Sequence, residues 1–145
     1  MHNTGLAEVR RIREEMEEVI RQVGFQGDFH AFLYFLRTDR RFYMDTPEAL
    51  MKDVALILKR MDGELPTLFK TLPRMPYGLR QIPDYIAPQT TSAYYLMPAG
   101  DGTKAGFYYV NTCDLQSRPL YEYEALSLRE AVPGHHLQLA LQMER

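Results

Sequence analysis

Apolar residues recur at helical spacing through the first part of the chain. Between residues 5 and 23 they stand three or four positions apart, with charged residues between them, at Leu6, Val9, Ile12, Met16, Val19, Ile20 and Val23. This period predicts an amphipathic helix that ends at Gly24. Asp28 is a favourable N-cap residue, and it predicts a second, shorter helix over residues 29–37.

A third helix is predicted from its start and stop signals. Thr46 offers a capping hydroxyl, and Pro47 suits the first helical position because no amide hydrogen is needed there. We expect this helix to end at Gly63, since glycine commonly follows the last helical residue. Pro66 then predicts a further short helical turn as far as Phe69.

The pattern changes at Leu72, where prolines become frequent. They exclude any long helix and stand at Pro73, Pro76, Pro83 and Pro88. Residues 79–86 can be extended between them. Residues 93–97 and 106–110 are rich in aromatic residues and flank the turn-forming pair Asp101-Gly102. This arrangement predicts an antiparallel β-hairpin with a longish loop.

The final segment is helical again, from about Pro119 to Arg145, with an interruption at Pro133-Gly134. No capping residue or glycine follows its last apolar residues, which predicts that the chain stops inside a helix. We therefore expect a mainly α fold with a small antiparallel β-hairpin, of the α+β class. It would be one partial domain in three segments: residues 1–71, 72–117 and 118–145.

Composition and charge narrow the possible functions. The chain has 145 residues, of which 46% are hydrophobic and 25% are charged, which is enough for one domain with a packed core. The formal net charge is −2, and the basic residues are scattered among acidic ones. Nucleic acid is therefore not an expected partner, because its binding needs clustered Lys and Arg.

Cys113 is the only cysteine, so a disulfide framework and a cysteine-rich zinc cluster are excluded. We interpret it as a small, half-buried residue rather than a nucleophile. No apolar run approaches the roughly 18 residues that a membrane span requires. Residues 1–5 lack the charged and apolar parts of a signal peptide, and the sequence leaves open whether the protein is exported or cytoplasmic.

Tyrosines are concentrated in the predicted hairpin, at Tyr94, Tyr95, Tyr108 and Tyr109. Aromatic side chains can form a stacking platform for bases or sugars. Alternating aromatic residues in strands more often pack across strands and into a core, so packing is the favoured interpretation for most of them.

The best candidates for chemistry lie in the final segment. His135 and His136 are adjacent, and Glu130 precedes them by five and six positions. A zinc hydrolase uses imidazole and carboxylate ligands, and a glutamate that takes a proton from the attacking water. In the common helical arrangement the two histidines stand four residues apart with the glutamate next to the first, but position 129 here is arginine.

The spacing needs a bend to bring these groups together. Position 136 follows position 129 by seven residues. On a straight helix these two positions are separated by about 10.5 Å along the axis, too far to share one metal ion. Pro133 removes a helical hydrogen bond and Gly134 tolerates unusual backbone angles, so a bulge could bring His135 or His136 toward Glu130. The alternative is that both histidines are solvated residues after a kink.

Several stretches of the chain carry a family resemblance. The most specific is the motif Glu130-Ala131-Val132-Pro133-Gly134-His135-His136-Leu137-Gln138, and the others are residues 5–9, 35–39, 72–77, 93–95 and 107–112. On these stretches the chain resembles the DUF885 family of bacterial proteins, which are similar to the zincin metallopeptidases. Family members are several times longer, so the resemblance implies that this chain is an interior fragment.

The resemblance implies a zincin-like fold with the active-site helix at the C-terminus, a zinc cofactor and a peptide substrate. Glu130 would be the general base, and His135, His136 or both would bind the metal. The hairpin would supply the edge strand beside the cleft. Four tyrosines, Tyr94, Tyr95, Tyr108 and Tyr109, could line the cleft as substrate contacts, although core packing is the favoured interpretation for most of them; Arg129 is a candidate substrate contact under the alternative function given below.

The chain departs from the family at Arg129, where the family has histidine. A guanidinium stays protonated and cannot ligate a cation. A further carboxylate ligand is expected beyond Arg145. We therefore expect this chain to bind zinc weakly or not at all and to be inactive as it stands.

Two further expectations follow from the same segment. The alternative function is a non-catalytic binding module, in which Arg129 holds a carboxylate and the tyrosine-rich hairpin binds a peptide or a partner chain. We also expect self-association through the last helix, because its apolar residues, Leu137, Leu139 and Leu141, would be exposed.

Overall fold

A computed structural model describes all 145 residues. Helices contain 57% of the residues and the strands form one three-stranded sheet, which confirms the predicted mainly helical α+β class. The chain divides into two compact units, residues 1–40 and residues 41–145. None of the helices combines the length and the hydropathy that crossing a membrane would require.

The first unit contains the predicted amphipathic helix, α1 (His2–Gln22), and the predicted shorter helix, α2 (Phe29–Thr38). Asp28 caps α2 as expected, because its carboxylate accepts a 2.8 Å hydrogen bond from the backbone N–H of Ala31. Ile20 is the one buried residue of α1. Much of the apolar stripe on α1 is exposed, at Leu6, Val9, Ile12, Met16, Val19 and Val23.

The second unit begins its core with α3 (Pro47–Leu68). Thr46 accepts a 3.1 Å hydrogen bond from the Ala49 N–H, which confirms the predicted cap. The predicted end at Gly63 is wrong, because the helix continues through it and through Pro66. Leu65 is buried beyond Gly63, and such tertiary packing overrides the weak local preference of a glycine.

The sheet contains one strand more than the predicted hairpin. Strands β2 (Ala93–Leu96) and β3 (Gly106–Val110) pair in antiparallel fashion, as predicted. Strand β1 (Tyr77–Gln81) pairs with β3 in parallel, which gives the order β1-β3-β2. The sheet is therefore mixed, and β2 lies at an edge while β3 is central. The expected extended stretch over residues 79–86 overlaps β1 only in part.

The two faces of the sheet have different surroundings. Tyr108 and Val110 of β3 are fully buried, whereas Phe107 and Tyr109, which alternate with them, are half-buried on the opposite face. The buried face joins a core built with α3 and α4 (Leu120–Glu130). Its buried members are Leu50, Val54, Ile57, Leu58, Ala93, Tyr108, Val110, Tyr123 and Ala131.

The last helix, α5 (His135–Met143), does not present the apolar surface that we expected. Leu137 is only 4% exposed, and Leu139 and Leu141 are half-buried. The premise that all three leucines are exposed is therefore wrong, because α5 packs its apolar residues within the second unit.

Candidate functional site

A break between α4 and α5 shapes the candidate site. Residues 131–134 form a turn in which the N–H of Gly134 donates to the carbonyl of Leu128 at 2.9 Å. The N–H of His136 donates to the carbonyl of Ala131 at 2.9 Å. These bonds span six and five residues instead of the helical four, so the backbone widens here. The predicted interruption at Pro133-Gly134 is confirmed.

Gly134 makes this turn possible because there is no room for a side chain at this position. A Cβ at this position would overlap the carbonyl oxygen of Arg129 and lie 2.6 Å from the carbonyl oxygen of Leu128. Both are backbone atoms of α4, so they cannot move aside as a flexible side chain could. Only glycine permits this close approach of the two helices.

His135 is the histidine that faces Glu130. The Nε2 atom of His135 lies 3.7 Å from Oε2 of Glu130, which is close but longer than a hydrogen bond. The Glu130 side chain is 5% exposed and the His135 side chain is 40% exposed. The break therefore places one imidazole at the open side of a buried carboxylate, as the sequence predicted for one of the two histidines.

Arg129 occupies the other side of the same carboxylate. Its Nη1 atom forms an ion pair with Oε1 of Glu130, and its side chain is 67% exposed. The two carboxylate oxygens thus face a guanidinium and an imidazole. No group of three or more His, Cys, Asp or Glu side chains is arranged to hold a metal ion. With two donors and a neighbouring cation, these residues do not fit a bound zinc.

The buried side chain of His136 points away from Glu130 into a cluster of half-buried residues, which we name the buried cluster after it. It is 2% exposed, and its Nδ1 atom lies 2.7 Å from the hydroxyl of Tyr95. Its ring packs against the ring of Tyr77, with centroids 4.8 Å apart. Burial lowers the pKa of His136, although a hydrogen bond to the backbone of Met75 opposes that shift. That His136 could be a metal ligand stays a prediction; in the structure its ring packs against Tyr77 and its Nδ1 atom contacts Tyr95.

Two further residues of this buried cluster were not predicted from the sequence. The hydroxyl of Tyr77 donates a 2.9 Å hydrogen bond to Asp62, and burial followed by this contact raises the pKa of Tyr77. A cavity of about 290 Å³ borders Asp62, Tyr77 and His136. These residues come from α3, β1 and α5, so no local sequence pattern could have joined them.

The four predicted substrate-binding tyrosines do not converge on one cleft. Tyr94 stacks on Tyr109 with ring centroids 5.0 Å apart, on the face of the sheet opposite the core. Tyr95 reaches His136 from the other face. Tyr108 is fully buried, with its hydroxyl 3.4 Å from the hydroxyl oxygen of Ser127. Its prediction as a cleft residue is therefore corrected to core packing.

The far end of α5 is anchored by a contact that the sequence also did not reveal. The carboxylate of Glu144 accepts hydrogen bonds from the backbone N–H groups of Arg74, at 2.8 Å, and Met75, at 2.9 Å. These bonds lower the pKa of Glu144. The loop before β1 is therefore held against both ends of α5, since His136 also contacts the backbone of Met75.

The whole chain, residues 1–145, matches the family described as "Bacterial protein of unknown function (DUF885)". The protein therefore belongs to this family, as the resemblance predicted. Its fold is similar to "The crystal structure of the putative lipoprotein from Colwellia psychrerythraea", with a TM-score of 0.84 and 30% sequence identity. That similarity covers 97% of this chain and 25% of the other, so the chain spans about a quarter of that protein's length. No curated protein matches the sequence.

Proposed function

We propose that this chain is part of a metallopeptidase-like protein whose hydrolytic centre is disabled at position 129. The observation that carries the proposal is the setting of the Glu130 carboxylate, which lies between the imidazole of His135 and the guanidinium of Arg129. A buried carboxylate that faces an imidazole across a helix break suits a general base beside a metal ligand. Arg129 stands where such a site needs an electron-pair donor.

Arg129 disables the site in two ways. Its guanidinium has no lone pair to offer a cation, and its permanent charge repels one. It also pairs with Oε1 of Glu130, so that oxygen is not free to accept a proton from water. We therefore expect no peptide hydrolysis by this chain. Under this proposal, the zinc and the peptide substrate belong to relatives that carry histidine at this position.

A zinc titration of the native chain and of Arg129→His tests the proposal. We expect the native chain to bind zinc weakly, and Arg129→His to bind it more tightly by on the order of 10- to 100-fold, because even residues that only orient metal ligands have effects of that size. Adding His135→Ala to Arg129→His should abolish the gain. Calorimetry at neutral pH would measure all three affinities.

His30→Ala is the matched control, because His30 is an exposed histidine in the first unit and accounts for adventitious binding. Tight binding of one equivalent of zinc by the native chain, lost on His135→Ala but kept on His30→Ala, would contradict the proposal. If Arg129→His did not bind zinc more tightly than the native chain, position 129 would not be what limits zinc binding.

A second candidate function is a module that binds peptides without cleaving them. Two observations favour it: the Arg129 side chain is 67% exposed and can hold a carboxylate, and β2 is an edge strand to which an extended peptide could add. A labelled peptide with a free C-terminal carboxylate should bind about tenfold more tightly than its amide, a difference of about 1.4 kcal/mol.

Fluorescence anisotropy would compare the two peptides on the native chain, on Arg129→Gln and on Arg129→Lys. The preference should disappear in Arg129→Gln and be reduced in Arg129→Lys, which keeps the charge but loses the planar fork of donors. Equal binding of the acid and the amide by the native chain would exclude the carboxylate clamp.

Self-association stays a prediction, but the surface that supports it changes. The largest group of exposed apolar residues lies on α1, with Val9 67% and Val19 52% exposed, whereas α5 exposes Met143 alone, at 38%. Light scattering should show particles larger than one chain, which the double variant Val9→Lys and Val19→Lys reduces. Leu56→Lys, at another exposed apolar position on α3, is the control. A native chain that stays monomeric at every concentration would refute the prediction.

A further inference from the structure

The directions of His135 and His136 are coupled because the two residues are neighbours on one helix. An α-helix has 3.6 residues per turn, so consecutive side chains point about 100° apart around its axis. With His136 directed into the buried cluster, His135 is directed to the open side, where Glu130 lies 3.7 Å away. A group that fixes His136 therefore also sets the direction of His135.

The first turn of α5 has no side-chain cap, so its orientation depends on backbone hydrogen bonds to residues 128 and 131 and on side-chain contacts. Gly134 occupies the N-cap position and provides no side-chain hydrogen bond. His136 supplies the anchor instead, through its 2.7 Å contact with Tyr95 and its ring contact with Tyr77. A buried imidazole nitrogen without a partner is costly, so the Tyr95 hydroxyl selects this orientation of the ring.

Tyr95 is itself held in a defined place. It lies on β2 in register with Tyr108, the fully buried centre of the sheet. Its hydroxyl passes over Gly106, where a Cβ would overlap the hydroxyl oxygen. Burial raises the pKa of Tyr95 to about 12, so the hydroxyl keeps its proton at neutral pH and can donate it to Nδ1 of His136.

We propose that Tyr95 is a positioning residue, which turns His135 toward Glu130 by holding His136 in the buried cluster. This inference deepens the proposed function and rests on it for the chemical importance of His135 and Glu130. The single hydrogen bond connects the hairpin with the motif across 41 positions of the sequence. Tyr95 thus acts on the site indirectly, through His136, and not as the substrate contact that the sequence suggested.

Tyr95→Phe tests the inference, because it removes the hydroxyl and keeps the ring. In protein labelled with ¹³C and ¹⁵N at histidine, the ring nitrogens of His136 report its hydrogen bond, and three-bond couplings report the χ1 rotamer of His135. We expect a changed Nδ1 signal for His136 and the loss of a single dominant rotamer for His135. Gly106→Ala, which pushes on the same hydroxyl, should produce the same two changes.

Tyr94→Phe is the matched control, because Tyr94 is the neighbouring tyrosine on the opposite face of the sheet and stacks on Tyr109. It should leave both histidines as they are in the native chain. The inference is overturned if Tyr95→Phe alters the Nδ1 signal of His136 while His135 keeps its single rotamer. It is also overturned if the native chain shows no dominant rotamer of His135.

The readout uses no metal and no substrate. Circular dichroism would establish that each variant is folded before its couplings are compared. Tight zinc binding by the native chain would contradict the proposed function, but the rotamers are measured without metal and so test the inference separately. Conversely, an unchanged His135 rotamer in Tyr95→Phe would remove the positioning role of Tyr95 and leave the effect of Arg129 untouched.

Discussion

Two adjacent histidines of α5 face different surroundings at the α4–α5 junction. The side chain of His135 is 40% exposed and faces the carboxylate of Glu130 at 3.7 Å, beyond hydrogen-bond distance. His136 is 2% exposed and is held by Tyr95 and Tyr77. Identical side chains therefore differ in role because of helix geometry and burial. In the function proposed above, the open side holds the groups for chemistry, whereas the buried side fixes their orientation.

The open side also contains the residue on which the proposed function depends. Arg129 lies there, largely exposed, and pairs with Glu130. A substitution at an exposed position of this kind changes chemistry at little cost to the fold, because few packing contacts are lost. A substitution on the buried side would destabilise the fold, since its hydrogen bonds and ring contacts also stabilise the second unit.

The largest expected effect concerns the junction on which both sides depend. Gly134→Ala places a methyl group against the backbone carbonyl of Arg129, and we expect a loss of roughly 3 kcal/mol or more in the free energy of unfolding. Gly63→Ala is the control, because a Cβ there meets open space within a helix and should stabilise by about 0.4–1 kcal/mol. Urea denaturation followed by circular dichroism would measure both; equal effects would mean that the close approach at Gly134 is not needed.

The next prediction tests the two histidines directly. His136→Ala should lower the free energy of unfolding by roughly 2–4 kcal/mol, as truncation of other buried side chains does. His135→Ala should change it by no more than about 0.5 kcal/mol, as is usual for residues near the surface. The same denaturation measurement applies. Similar losses for both variants would show that the two sides of the junction do not differ in the way the geometry indicates.

A smaller effect is expected at the edge of the buried cluster. Tyr77→Phe removes the hydrogen bond to Asp62 and should cost about 1 kcal/mol in the free energy of unfolding. Tyr34→Phe, at a tyrosine that is 71% exposed, should have almost no effect and serves as the control. If the midpoint of thermal unfolding shifted equally for Tyr77→Phe and Tyr34→Phe, the contact between Tyr77 and Asp62 would not contribute to stability.

The smallest expected effect is a pH dependence at the far end of α5. Backbone hydrogen bonds from Arg74 and Met75 lower the pKa of Glu144 below its ordinary value of 4.5. The unfolded chain then binds more protons than the folded one in that range, so this stabilisation is present above about pH 4.5 and is lost as the pH falls through the folded pKa. Glu144→Gln should therefore be less stable than the native chain at pH 7 and approach it at low pH. A stability difference that stayed constant from pH 7 to pH 3 would disprove the role of the carboxylate charge.

Local signals predicted much of the fold. The caps at Asp28 and Thr46 and the antiparallel pairing of β2 with β3 were readable because each depends on residues close in sequence. The continuation of α3 through Gly63 was not readable in this way, because it depends on the burial of Leu65 in the folded chain. The parallel pairing of β1 with β3 was missed, and β1 itself was predicted only in part, because its partner residues lie 29 positions later, with Tyr77 against Gly106.

The sequence by itself determined the amphipathic helix α1, the hairpin and the break at Pro133-Gly134, because each is a property of residue type and spacing along the chain. Only the tertiary structure decided that His135, and not His136, faces Glu130. That choice depends on the rotation of α5 about its axis, which is set by contacts with Tyr95 and other residues distant in sequence. Spacing constrains which side chains share a helix face, but burial and hydrogen bonding decide which way that face is turned.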